Sequence, residues 1–517
     1  LLPLVRRGLE AYNRVDDQPF PHTRAPQPRK ESIVSQFIPR QPSELNSGYA
    51  QPEAAPAYQP APQPAVSVQQ SAAQPKNGYL QEPKTMAETG LSPSLVTELV
   101  LKVLYYQSYQ TGYEMASQLR LPFYGVIEVV MQALKREELV ELTGASGLGA
   151  AGYQYVMTRK GMDRAEAVLK RNSYVGPAPV PLSKYIEMVL LQAQHKPQIN
   201  QAVVQNALRG MNLVGDTIDK VGAAVNAGRS LFLFGSPGNG KSMLTERIGM
   251  MMGDAVVVPY ALEADGQIIQ FFDLHLHHAI AFPGPNGLPP PSLSGLVDPI
   301  HAECADRRWV QVQRPLVITG GELTMTDLDL VWHGDTGFYE APYQLKANNG
   351  VFLIDDFGRQ VMSPQQLLNR WIVPLEKGTD FLTLHTGKKL QVPFELFLVF
   401  STNLEPAELV DEAFLRRIQN KLHMPDPSLD QFRNIFMAEC QRLGIPYDES
   451  AFSHLVREHY MKTNRPMRAV HPRDILRQLT SLARYQNIAP QLSPRLIDLA
   501  AATYFVPLGE KKATSGS

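Results

Sequence analysis

Leu231-Phe-Leu-Phe-Gly-Ser-Pro-Gly-Asn-Gly-Lys-Ser242 is the stretch whose reading decides the fold of this chain. Four apolar residues with the character of a buried strand run straight into G-S-P-G-N-G-K-S, which satisfies G-x-x-x-x-G-K-[S/T] at every fixed position. Glycines at Gly235, Gly238 and Gly240 let the backbone turn tightly enough to aim successive N–H groups at phosphate oxygens, with Ser236, Pro237 and Asn239 between them. Lys241 is placed to reach the β- and γ-phosphates, and the Ser242 hydroxyl to ligate Mg²⁺. A helix expected over 242–251 directs its N-terminal dipole at the same anion. The stretch implies a nucleoside triphosphate site.

Downstream, Val351-Phe-Leu-Ile-Asp-Asp-Phe-Gly-Arg359 reads as a second buried strand ending in paired carboxylates. Beside a phosphate loop, a strand terminus is where Mg²⁺ must be held, which assigns Asp355 to the metal and Asp356 to orienting or deprotonating the attacking water. Leu396-Phe-Leu-Val-Phe-Ser-Thr-Asn403 is a third strand, with Asn403 at its polar end to position that water or contact the γ-phosphate. Asp411-Glu-Ala-Phe-Leu-Arg-Arg-Ile418 places Arg416 and Arg417 after a short apolar helix. One of them, offered by a neighbouring subunit, would stabilise developing charge while the other holds the interface.

These residues resemble the AAA+ ATPases over about 195–505. The likeness comprises a Walker A motif at 235–242, a Walker B motif at 351–356, a sensor-one asparagine at Asn403 and arginine-finger candidates at Arg416 and Arg417. His471-Pro-Arg-Asp-Ile-Leu476 resembles the sensor-two helix, which makes Arg473 a nucleotide-contacting residue. The resemblance implies an α/β fold with a parallel P-loop sheet over 196–426, a helical lid over 427–508, ATP with Mg²⁺ as cofactors, and ring assembly, usually a homohexamer. Asp356 departs from the family pattern, which has glutamate there. Its carboxylate falls about 1.5 Å short of that reach, a scale of misplacement that matters for rate.

With 517 residues the chain is too long for one core, and two or three domains are expected. A net charge of -1 gives no global attraction to nucleic acid or anionic membrane. Two cysteines, Cys304 and Cys440, form no framework and suit a reducing compartment. No apolar run reaches about 18 residues, so no transmembrane segment is expected and the chain reads as cytoplasmic. Residues 1–90 are a Pro/Gln/Ala-rich leader expected to be disordered, and 509–517 a flexible tail. Over 91–174, helices at 95–105, at 112–119 and after Pro122 precede a strand pair at 139–142 and 153–158 and a helix at 161–170, an order resembling a winged-helix α+β domain. Its third helix mixes Phe123 and Tyr124 with charges of both signs, which favours protein docking over DNA. Residues 175–195 read as a linker and connecting helix.

Between the two Walker motifs, 254–350 is an elaboration in which 308–319 reads as an extra hairpin or extended pair. Asp273 and His277 lie four apart, as metal ligands on a helix do, or as polar packing. Residues 380–394 alternate about a Thr-Gly-Lys-Lys turn, resembling the pre-sensor-one hairpin of a branch including MoxR-like chaperones, with Lys388 and Lys389 at its tip. The expectation is Mg²⁺-dependent ATP hydrolysis in a ring, coupled to remodelling or assembly of a protein partner. A DNA-associated ATPase and a nucleotide-gated scaffold with little turnover are the alternatives.

Overall fold

The computed structural model describes residues 80–107, 109–147, 149–195, 199–211, 213, 215–253, 255–280, 305–409 and 415–505. Most of the leader, the proline-rich run at 282–291, most of the helix expected at 411–418 and the C-terminal tail lie outside the described residues.

Helix α1 (Pro93–Tyr105) begins where the Ser92 hydroxyl accepts the Leu95 N–H and proline occupies the first turn. Val96, Leu99, Val100, Val103 and Leu104 recur on one face and are buried. Strand β1 (Gln110–Thr111) leads into α2 (Gly112–Leu119), closed by a reciprocal Thr111–Glu114 capping box. The next helix starts later than the sequence predicts. Tyr124 is extended and Gly125 has φ 76°, so regular α3 occupies Glu128–Arg136. A β-carbon at Gly125 would come within 2.1 Å of the Lys84 carbonyl, so the incoming chain sets this break.

Strands β2 (Val140–Ala145) and β3 (Tyr153–Met157) complete an antiparallel sheet in the order β1-β3-β2, and α4 (Arg159–Arg171) follows. Lys102, on α1, is only 1% exposed. Its Nζ donates to Asn172 Oδ1 at 3.0 Å and to the Tyr174 carbonyl at 3.3 Å. Burial pulls its pKa down to about 8, against the opposing pull of Glu98.

Strand β4 (Val180–Pro181) and helices α5 (Leu182–Gln194), α6 (Gln201–Ala207) and α7 (Gly215–Ala227) lead to β5 (Ser230–Phe234), the phosphate loop and α8 (Lys241–Met251). The elaboration then supplies β6 (Ala255–Pro259), β7 (Ala261–Ala264), β8 (Gln267–Gln270), β9 (Trp309–Gln313), β10 (Leu316–Thr319), β11 (Val331–His333) and β12 (Phe338–Glu340). Beyond it come β13 (Val351–Ile354), α9 (Pro364–Lys377), β14 (Thr379–Thr383), β15 (Lys389–Pro393), β16 (Phe397–Thr402) and β17 (Asn420–His423).

The central sheet is parallel throughout, in the order β10-β13-β16-β5-β17. Its three inner strands, β13, β16 and β5, are near-continuous apolar runs buried on both faces, whereas the edge strand β17, Asn420–His423, is largely polar. A second, mixed sheet runs β11-β12-β8-β7-β4. Of the hairpin or extended pair expected at 308–319, the two extended strands form but do not pair with each other: β9 pairs antiparallel with β6, whereas β10 is the edge strand of the central sheet beside β13. Arg314 and Pro315 separate the two strands, and Val317, inside β10, is fully buried in the central core.

Arg308 is wholly buried against Asp306 at 2.7 Å and also donates to the Thr89 and Pro179 carbonyls, joining the chain near residue 89 to the elaboration. Helices α10 (Leu429–Leu443), α11 (Glu449–Val456), α12 (His471–Tyr485) and α13 (Pro494–Tyr504) gather around a separate core that includes Phe432, Phe436, Phe452 and Leu476. No helix among the described residues is long and apolar enough to cross a membrane.

Candidate nucleotide-binding site

The glycine-rich loop expected to hold phosphate occupies the turn from β5 to α8, and two of its glycines are required by close approach. At Gly235, with φ 133°, a β-carbon would lie 2.3 Å from the Met424 carbonyl; at Gly238, with φ 82°, it would strike Val470 at 2.5 Å. The α8 N-terminus opens on a cavity of about 580 Å³ that brings together Pro237 to Ser242, Asp355, Asp356, Asn403 and Arg473. The ends of three central strands, β5, β13 and β16, thus deliver the loop, the carboxylates and the amide to one place.

Ser242 Oγ donates to Asp355 Oδ2 at 2.6 Å. This pair of hard oxygens at the edge of a phosphate cradle fits Mg²⁺, with further positions left for water and phosphate. Lys241 is 6% exposed and folds onto its own loop, donating to the carbonyls of Gly235 at 2.8 Å and Ser236 at 3.0 Å. It also donates to Asn403 Oδ1 at 2.6 Å. Burial lowers the Lys241 pKa, and the carboxylates of Asp355 and Asp356 oppose that effect. Asn403 in turn donates through Nδ2 to Asp356 Oδ1 at 2.8 Å. Asp356 is exposed and adopts φ 48°, a left-handed conformation that aspartate tolerates better than most side chains.

Arg473 lines the cavity from the first turn of α12, with its Nε 2.9 Å from Asp474 Oδ1. Arg416 and Arg417 lie elsewhere. Arg416 is exposed, and Arg417 Nε contacts Glu376 Oε1 at 2.7 Å.

Sequence reasoning missed how closely the helical segment after β17 grips the loop. Asn239, 6% exposed, donates to Asp426 Oδ1 at 2.8 Å and accepts the Ala469 N–H at 3.2 Å. The Val470 N–H donates to the Gly238 carbonyl at 2.9 Å, and Arg468 pairs with Asp426. Met211, Leu213, Pro425 and Ile435 form an apolar part of the cavity. An asparagine, able both to donate and to accept, between two glycines is the available signal for the contacts of Asn239; nothing in the local pattern announces the apolar lining.

Two other expectations resolve differently. Asp273 and His277 sit in a turn rather than on a helix. His277 Nδ1 accepts the Asp273 N–H at 3.1 Å and Nε2 meets the Lys346 carbonyl at 3.0 Å, so both ring nitrogens are occupied by backbone. The ring stacks on Phe271, and burial lowers its pKa, leaving it neutral and fitted for packing rather than metal binding. The hairpin at 380–394 does form, with β14 and β15 antiparallel. Lys388 at its tip is paired with Asp265 in the β7–β8 turn at 2.5 Å.

Residues 428–503 match a family described as "Domain of unknown function (DUF8689)". No curated protein matches the sequence. Among solved structures, a mutant of Thermotoga maritima RuvB is similar at 11% identity and a TM-score of 0.31, covering 59% of this chain and 72% of that one. Brucella abortus NtrX in complex with ATP is similar at 13% identity and a TM-score of 0.34, covering 74% of this chain and 71% of that one. A complex of the magnesium chelatase subunits BchI and BchD is similar at 15% identity and a TM-score of 0.29, covering 56% of this chain and 92% of that one.

Proposed function

We propose that the chain is an AAA+ ATPase that hydrolyses ATP with Mg²⁺ in a ring oligomer and uses the cycle to remodel or assemble a protein partner. The observation that carries this reading is the convergence of Lys241, Ser242, Asp355, Asp356 and Asn403 on one cavity between a phosphate loop and a helical unit. Backbone N–H groups from Gly238 to Ser242 would cradle the phosphates, and Lys241 would leave its loop carbonyls for the γ-phosphate. Ser242 and Asp355 would hold Mg²⁺, which when bound neutralises charge on the β- and γ-oxygens. Asp356 would orient or deprotonate the attacking water, with Asn403 fixing the carboxylate. Arg473 would approach the phosphates from the helical side, coupling α12 to the nucleotide.

Arg416 is the better candidate for the arginine acting on a neighbouring subunit's nucleotide, because it is exposed whereas Arg417 is engaged with Glu376. In that division of labour Arg417 serves the interface and Arg416 the γ-phosphate.

A protein partner is favoured over DNA by the winged-helix-like region. Arg159 pairs with Asp163 at 3.5 Å, Arg171 with Glu98 at 2.8 Å, and Lys160 donates to the Glu137 carbonyl at 2.8 Å, so three of its basic groups are engaged within the fold. Tyr106, Tyr113 and Tyr124 are 64%, 72% and 62% exposed there, aromatic groups of the kind enriched in protein interfaces. Incubating the D356N variant with ATP and isolating its oligomer tests this. A ring that retains a protein without DNA supports the reading, and salt-sensitive retention of duplex DNA in place of protein contradicts it.

A further inference from the structure

We propose that the helical unit carries a second, independent ligand site: a zinc-class divalent transition-metal site formed by His454, His459 and Asp498. His454 lies in the last turn of α11, His459 in the wider turn that follows, Arg457–Met461, and Asp498 on α13. His454 Nε2 is 2.8 Å and His459 Nε2 2.7 Å from the same oxygen, Asp498 Oδ1. The donor atoms of all three residues fall within 4.8 Å of one another.

The backbone is adapted to make this meeting possible. In a regular α-helix, residues five apart are rotated by roughly 140° and cannot share a face. The Arg457–Met461 segment winds with i→i+5 geometry, which adds a residue to the turn and brings positions 454 and 459 together. Such π turns are rare and often occur at functional sites. The imidazole rings stand 6.4 Å apart at 72°, so they converge edge-on rather than stacking.

The donor set has a definite chemistry. Two imidazole nitrogens and one carboxylate oxygen suit Zn²⁺, Co²⁺ or Ni²⁺ rather than Mg²⁺. Tetrahedral bonds of about 2.0–2.2 Å place neighbouring donors roughly 3.3 Å apart, so the two imidazole nitrogens need only a small movement away from Asp498 Oδ1, now at 2.8 and 2.7 Å, to admit an ion. The histidine side chains are 21% and 20% exposed and Asp498 is 50% exposed, leaving a solvent side for water to complete the coordination. A bound ion would staple the final helix of this unit to the segment between α11 and α12. The site shares no residue with the nucleotide cavity and does not rest on the ATPase reading.

The test uses the full chain, stripped with chelator and kept free of nucleotide, titrated with Zn²⁺ against a chromophoric competitor and with Co²⁺ by visible absorption. The expected result is one equivalent bound with Co²⁺ ligand-field bands. Affinity should fall by more than the roughly 10–100-fold that outer-shell changes cost in D498N and in the H454Q/H459Q double variant. K241A should retain that equivalent. Thermal unfolding in chelator controls for folding: D498N and H454Q/H459Q should melt as the parent does, and Zn²⁺ should raise the melting temperature of the parent and of K241A but not of those two variants. Absence of Co²⁺ bands, or binding by D498N and the double variant as tight as the parent's, would overturn the proposal.

Discussion

Lys241 Nζ and Asn403 Oδ1 are 2.6 Å apart although 162 residues separate them, and the other end of the same amide donates to Asp356. The asparagine is oriented by a cation on its oxygen and a carboxylate on its nitrogen. N403D would place a carboxylate against Asp356 and reverse the second contact. Its ATP turnover should fall by about 100-fold, the scale expected for misplaced catalytic groups, while nucleotide affinity changes far less. Steady-state hydrolysis together with equilibrium binding of a fluorescent ATP analogue measures both.

Arg416 and Arg417 should separate by kinetics. R416A should lower turnover by about 10³-fold, the lower end of the effect of an arginine finger, while leaving the oligomer and ATP binding intact. R417A, which loses the Glu376 contact, should instead weaken assembly. Light-scattering mass with parallel ATPase assays distinguishes the two, and the assignment fails if R416A hydrolyses ATP at the parental rate.

His471, at the start of α12, should make the helical unit acid-sensitive. Burial is the largest cause lowering its pKa from 6.5 to about 4; repulsion from Arg468 and Arg465 adds to it, and Asp474 and Asp426 oppose it. Its Nδ1 lies 3.0 Å from the Tyr460 hydroxyl. Because the unfolded chain takes up this proton first, the neutral ring's contribution is complete above about pH 6.5 and is lost as pH falls towards 4. Urea unfolding of the parent should weaken over that interval, with a shallower dependence in H471Q. An identical pH profile in the two proteins would exclude His471 as the cause.

The site was more legible in the sequence than the scaffold around it. Gly235, Lys241, Ser242, Asp355 and Asn403 announce themselves because phosphate chemistry demands particular residue types at the ends of apolar strands, and those signals are local. Pairing partners are not local. Trp309–Gln313 and Leu316–Thr319 read as a hairpin or extended pair, yet they belong to different sheets, because their partners Ala255–Pro259 and Val351–Ile354 are distant in the chain. Asp273 and His277 had ligand-like spacing, but only the fold shows both ring nitrogens engaged by backbone. His454 and His459 escaped notice for the converse reason: five residues apart is not a helical spacing until the turn between them widens.

The central claim is that Lys241 and the cavity around it hydrolyse ATP. The most direct measurement is phosphate release by the purified chain with ATP and Mg²⁺, compared with K241A under the same conditions. Magnesium-dependent release by the parent and its loss in K241A is the predicted result. Equal release by the two proteins, or ATP binding without release across all protein concentrations at which the parent is oligomeric, would contradict it.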